Sequence, residues 1–332
     1  MLSSLRFILK SQLKRQSNRG GFTLIELLVA IIMAALIITP VLGFMINFLQ
    51  TDRREQAKTT TEQDIQAALD YIAQDMQQAI YIYDKDGLNG TGIQGISEEL
   101  ASLPCPADAD ECKPILVFWK RRFLSREVTG QINDHFVYSL VAYSIADNKN
   151  DANGTWSPTA RILRYEFRDG LDIDPENRNG DEVQSNPAGF APFSLAGTGS
   201  LANKMNRWGE DSGSANANWG TPGGSPPSAT LIDYIDEPDS EAPLIECEQL
   251  RGEQRIPATD DDDPNVGFVA CISTLPSDSS IPTGRVYIRG NALARVPTLK
   301  DAVKNEDDYK KYSTFFPKSS IQVQGNSFLF TQ

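Results

Sequence analysis

Gly20-Gly21-Phe22-Thr23-Leu24-Ile25-Glu26-Leu27-Leu28-Val29-Ala30 opens an apolar run in which Glu26 is the sole charge between Phe22 and Thr51. The run is long enough to cross a bilayer as a helix. A carboxylate at membrane depth costs about 2.5–3.5 kcal/mol on insertion scales, so Glu26 is a functional hypothesis by default. Upstream lies a basic segment holding Arg6, Lys10, Lys14, Arg15 and Arg19 and no acid. Those charges hold the amino terminus on the cytoplasmic side, and the body then faces outward.

A secretory signal peptide would place small residues after the apolar run. Here Gly20 and Gly21 precede it, and nothing like Ala-x-Ala follows Leu49. A cut at Gly21 therefore leaves the helix on the mature protein. Glycines suit close approach by a protease, since they lack a side chain and tolerate unusual backbone geometry.

Basic leader, Gly-Gly, then Phe-Thr-Leu-Ile-Glu-Leu-Leu-Val-Ala resembles the cleavage site of type IV prepilins and type II secretion pseudopilins. The resemblance covers the first tenth of the chain. It implies that a prepilin peptidase cuts between Gly21 and Phe22 and methylates the new amine of Phe22. It also implies that Glu26, the family's fifth-position glutamate, pairs with the amine of a neighbouring subunit during filament assembly. Each buried charge alone is expensive, so the pairing would set subunit register. The partners implied are the peptidase, other pilins or pseudopilins, an inner-membrane assembly platform and membrane lipid. The expected location is the inner membrane, single-pass, with the head periplasmic or extracellular. Glu26 also separates this chain from the family's tip subunit, which tends to lack that residue. The competing reading is an ordinary anchor with an incidental glutamate.

The chain has 332 residues, with 31 basic and 44 acidic side chains and a net charge of −13. Removing residues 1–21 leaves 26 basic against 44 acidic side chains, or −18. So acidic a body argues against nucleic acid as a primary partner, whose phosphates want a basic face. Four cysteines, Cys105, Cys112, Cys247 and Cys271, form an even set, which outside the cytoplasm indicates disulfides. Sequence proximity favours Cys105–Cys112 and Cys247–Cys271, although three connectivities exist. Zinc is disfavoured, because no C-x-x-C occurs and the single histidine, His135, is remote in sequence.

The predicted fold class is α+β. A long N-terminal transmembrane helix continues into a globular head with an antiparallel β-sheet, the lollipop of pilins, and a long loop-rich insertion. The predicted divisions are a cleaved leader at 1–21, a membrane half of the helix at 22–49 and an amphipathic half at 50–83. A pilin-like β-sheet region follows at 84–169, then the insertion at 170–243 and a C-terminal β region at 244–332. Ile65, Leu69, Ile72, Met76 and Ile80 repeat at helical spacing, which predicts one apolar stripe facing a sheet. Pro40 and Gly43 predict a kink or loosening. Turn chemistry at Asp84-Lys85-Asp86-Gly87 predicts the helix stop. Strands are expected at 115–121, 136–146, 160–168, 266–273, 285–289 and 327–330, with a short element at 231–235. Asn153-Gly154 signals a hairpin.

Asp172, Asp174, Glu176, Asn179 and Asp181 place oxygen ligands at short intervals, a loose calcium pattern in which Asn177 stands where an EF-hand has glycine. Asp260 to Asp263 is a second acidic candidate. A solvated acidic loop is the commoner explanation of both, and no other cofactor is indicated. Trp119 reads as core, whereas Trp208 and Trp219 read as exposed residues able to stack on sugars. Asn89-Gly90-Thr91 and Asn153-Gly154-Thr155 match the N-glycosylation pattern. No nucleophile elbow, Walker loop or H-E-x-x-H occurs, so an enzyme is not expected.

The long leader, the loop-rich body and Arg289-Gly290-Asn291-Ala292-Leu293-Ala294-Arg295 look like the pseudopilins of hormogonium polysaccharide secretion in cyanobacteria. Alternatives are a minor pilin of a type IV pilus for motility or DNA uptake, and a membrane-anchored glycan-binding protein that does not assemble.

Overall fold

Helix α1 (Leu24–Met76) carries the chain from its apolar start into the head. The computed structural model describes residues 21–90, 95–96, 100, 103, 105–106, 109, 111–124, 135–148, 154–168, 192–196, 198–208, 228–238, 240–248, 252–258, 265–273, 283–300 and 302–325. The chain divides into two units, residues 1–53 and 54–332. In the first unit every described side chain is exposed. Its helical window reaches a mean hydropathy of 2.7, long and apolar enough to cross a membrane. The helix is continuous through Pro40 and Gly43, where the sequence predicts a kink. Pro40 lacks the N–H that would bond four residues back. Just before it, the Thr39 hydroxyl donates to the Ala35 carbonyl at 2.8 Å.

The second unit holds two antiparallel sheets. The first has five strands in sequence order: β1 (Ala79–Ile82), β2 (Cys112–Leu124), β3 (His135–Asp147), β4 (Ala160–Arg168) and β5 (Ser228–Ile235). The second has four: β6 (Glu253–Ile256), β7 (Phe268–Ser273), β8 (Thr283–Arg289) and β9 (Lys318–Gln324). Short helices α2 (Lys85–Asn89), α3 (Leu201–Asn206) and α4 (Glu306–Tyr312) decorate them. The central strands of the first sheet are buried on both faces, which is why Ile115–Trp119 and Leu140–Ala146 read as nearly continuous apolar runs.

Several expectations need correction. The helix ends at Met76, not at residue 83; Ala79–Ile82 pairs with β2 through Ala79↔Lys120 and Ile82↔Phe118. Ile80 does continue the helical spacing, but the β-branched and aromatic run Ile80-Tyr81-Ile82-Tyr83 pairs better as a strand. The region 170–243 is not simply an insertion. Its last residues form β5, a full member of the first sheet, and Trp208 is buried at 1% exposure against Trp119, ring centroids 5.4 Å apart. A polar neighbourhood in sequence did not make that indole a surface residue. Trp119 is core as expected, and its Nε1 donates to the Tyr83 hydroxyl at 3.0 Å.

The stripe of α1 (Ile65, Leu69, Ile72, Met76) enters one core with both sheets. A charged cluster accompanies it. Asp75 of α1 accepts from Lys120 at 2.9 Å, from Arg164 at 2.7 Å and from the Tyr143 hydroxyl at 2.8 Å; Glu166 receives Arg164 at 2.8 Å. Burial pushes the Asp75 carboxyl up, but the Arg164 hydrogen bond and the Lys120 charge outweigh it and hold it below its ordinary 3.8. A depressed carboxyl adds stability above its unfolded pKa and loses it as pH falls through the folded one. The contribution of Asp75 is therefore complete above pH 3.8 and is lost below it. Denaturation midpoints compared between neutral pH and pH ~3 are expected to fall less in Asp75→Asn than in the natural chain. Equal acid losses in both would show that Asp75 contributes nothing to the pH dependence.

At the seam between the sheets, Ile235 bridges Gly290, and the backbone N–H of Asn291 donates to the Tyr234 carbonyl at 2.8 Å. Tyr234 there takes a positive φ of 62°, uncommon for a residue with a side chain. Arg289 donates to Asp236 at 2.6 Å, to the Pro243 carbonyl at 2.8 Å and to Asn265 at 2.9 Å, with both charged side chains 2% exposed. Arg295 donates to Thr61 at 3.0 Å and Asp64 at 2.5 Å on α1 and covers the Tyr234 ring at 4.0 Å. Gly290 lies so close to α1 that a Cβ would collide with Thr61 Cγ2 and sit 3.0 Å from Ile65 Cδ1. The segment Arg289–Arg295 thus joins helix, first sheet and second sheet.

Candidate functional site

The first turn of α1 is built by its own residues. Leu24 is the first helical residue, so Thr23 is the cap, and its hydroxyl accepts the Glu26 backbone N–H at 3.3 Å. The Thr23 carbonyl accepts from Leu27 at 3.2 Å. Thr23-x-x-Glu26 has the sequence pattern of a capping box, of which the structure forms the hydroxyl half; the pattern was present in the sequence but not read there. It places a carboxylate three residues into the helix, near the positive end of the helix macrodipole. The Glu26 backbone N–H thus fixes the start of the helix on the Thr23 hydroxyl.

Gly21 and Phe22 precede the helix without regular structure, and a Cβ on Gly21 would meet nothing within 4 Å. Phe22 is 77% exposed and Leu24 86%. The backbone at Gly21 is unobstructed, and the apolar residues that follow are exposed. Gly20 lies outside the described residues.

Other sequence candidates fare differently. The structure pairs Cys105 with Cys112 and Cys247 with Cys271. Cys247 and Cys271 stand beside Glu253, but sulfurs joined to each other are not thiolates for a metal. The calcium pattern at Asp172, Asp174, Glu176, Asn179 and Asp181 lies outside the described residues, as do Asp260 to Asp263, Trp219 and 327–330. Of the glycosylation triplets, Thr91 and Asn153 also lie outside. His135 begins β3. What sequence reasoning missed is the charged interior: Asp75, Lys120, Arg164, Glu166, Asp236 and Arg289 lie far apart in the chain, and nothing local marks them as partners.

No curated protein and no solved structure matches the chain. One family model matches, that of the prokaryotic N-terminal methylation motif, over residues 16–42. The match contains Gly20, Gly21, Phe22, the Thr23 cap and Glu26, and it ends within the exposed apolar helix. On these residues the chain carries the prokaryotic N-terminal methylation motif, the signal of type IV pilins and pseudopilins.

Proposed function

We propose that this chain is a pseudopilin-type subunit of a filament that drives secretion. A prepilin peptidase cuts it between Gly21 and Phe22 and methylates Phe22. The apolar helix holds it in the inner membrane with the head outside the cytoplasm, and Glu26 pairs with the amine of a neighbouring subunit on entry into the filament. Its role is structural rather than catalytic. The observation that carries the reading is the methylation motif on 16–42 together with an apolar helix exposed from Leu24 to Leu49. Such a surface needs lipid or other helices around it.

Within that class, the resemblance of the Arg289–Arg295 sequence to hormogonium polysaccharide secretion pseudopilins supports polysaccharide as the cargo. A deletion strain that loses polymer export and keeps pilus-based motility supports this; the opposite outcome points to a minor pilin of a type IV pilus.

Mass spectrometry of the mature amino terminus tests the class. The expected start is Phe22 bearing one methyl group. A start at Met1, or after Leu49, overturns the reading.

A further inference from the structure

One face of α4, carried on into the next turn, lines a cleft. Glu306, Tyr309, Lys310 and Ser313 stand at helical spacing and form part of the wall of a cavity of about 490 Å³. Clefts that hold small ligands run from about 300 to 1,000 Å³. The rest of the lining comes from the stretch Ser240–Pro243 and from Asn265.

This lining is fixed by the interior. Arg289, held on Asp236, donates to the Pro243 carbonyl at 2.8 Å and to Asn265 at 2.9 Å. Asn265 in turn donates to the carbonyls of Ser240 and Ala242. On the α4 side the Tyr309 ring packs on Phe316, centroids 4.7 Å apart, and Lys310 pairs with Glu306 at 2.8 Å. A wall ordered in advance lowers the cost of ordering it on binding.

Within that frame three polar groups make no hydrogen bond to any described residue: the Tyr309 phenol, the Ser313 hydroxyl and the Glu241 carboxylate. Burial pushes the Tyr309 phenol above its ordinary 10.0, so it remains a donor at neutral pH. The cleft thus offers hydroxyl donors, a carboxylate acceptor and the apolar surface of Ala242 and Pro243. A sugar residue matches that mixture, because each of its hydroxyls both donates and accepts while its C–H face is apolar. Glu306 and Lys310 offset each other, which leaves Glu241 as the uncompensated charge of the lining. An acidic sugar would meet that carboxylate, and a basic peptide would meet Lys310.

We propose that the cleft between α4 and Ser240–Pro243 binds an uncharged sugar residue of a polysaccharide, with Glu241, Tyr309 and Ser313 on its hydroxyls. The proposal rests on the polysaccharide-cargo reading and deepens it, since it names the class of sugar and the residues that touch it.

The test titrates the full chain in lipid nanodiscs with cellohexaose, maltohexaose, chitohexaose and hexagalacturonate, followed by calorimetry. At least one of the three neutral oligosaccharides is expected to bind, and hexagalacturonate to bind roughly tenfold more weakly. Tyr309→Phe keeps the packing on Phe316 and is expected to weaken binding about fivefold at an unchanged melting temperature. Glu241→Lys is expected to reverse the preference in favour of hexagalacturonate, an outcome that a purely structural role of Glu241 would not produce. No binding of any neutral oligosaccharide, a natural chain that prefers hexagalacturonate, or affinities unchanged in both variants overturns the proposal. Tighter binding of an oligolysine peptide than of every sugar also overturns it. Polymer export is measured alongside in a deletion strain. Export lost on deletion with no sugar bound sinks the cleft alone, whereas export that survives deletion sinks the polysaccharide-cargo reading whatever the titration shows.

Discussion

Glu26→Gln is expected to insert and be cleaved normally yet fail to enter filaments, with cross-links to neighbouring subunits falling at least tenfold. The geometry makes this variant selective. Gln is as good a fourth residue of a capping box as Glu, so the Thr23 cap and the first turn of α1 survive the change. What disappears is the negative charge, and with it the compensation for the amine that cleavage creates on Phe22. Paired in an apolar setting, the two charges offset each other; unpaired, each carries several kcal/mol of desolvation cost. The lone variant helix should sit slightly better in lipid, while the assembled one loses its register. Wild-type cross-linking and secretion in Glu26→Gln would reduce Glu26 to a helix-starting residue and remove it from assembly.

Arg289→Ala is expected to destabilise the head by about 3–5 kcal/mol, the usual consequence of stranding one partner of a buried pair. For a domain of this size the melting temperature would drop by roughly 10 °C. Asp236 would keep its burial and lose its nearest cation, and the Pro243 carbonyl and Asn265 would lose a donor. The pH dependence gives a second signature. Burial already pushes the Asp236 carboxyl above its ordinary 3.8, against the pull of Arg289. A raised carboxyl contributes stability below its unfolded pKa and loses it as pH rises through the folded one. Without Arg289 that rise grows, so the deficit should be largest near neutral pH and shrink toward pH ~5. Calorimetry at the two pH values decides it. Asp236→Leu with Arg289→Met is expected to recover much of the loss, since an apolar pair leaves no stranded charge. A deficit independent of pH would mean that lost packing, and not the unpaired carboxylate, destabilises the variant.

Sequence pattern announced the head unevenly. β4 was legible at its observed limits because Ile162, Leu163, Tyr165 and Phe167 form a dense β-forming run between turn residues. β2 and β3 were legible for the same reason. β6 and β9 were not: Glu253-Gln-Arg-Ile is four residues long, and Lys318-Ser-Ser-Ile-Gln-Val-Gln is a mostly exposed edge that shows little apolar signal. β1 was read as helix because Ile80 kept the spacing of the stripe, and only pairing with β2 decides otherwise. The amino-terminal motif was fully legible, being local chemistry in consecutive residues. The ion pairs of Asp75 and Asp236 were invisible, since their partners lie 45 to 89 positions away and depend on the folded topology.

The attachment of α1 to the head has a mechanical side. Within the head, residues 57–76 of the helix are gripped along their length: Asp64 by Arg295, the Thr61–Ile65 surface by Gly290, the apolar stripe by both sheets, and Asp75 by Lys120 and Arg164. Tension applied along the helix axis loads these attachments in shear, all at once, instead of peeling them one after another. A helix segment pulled along its axis against the head would yield only when the whole grip slips together.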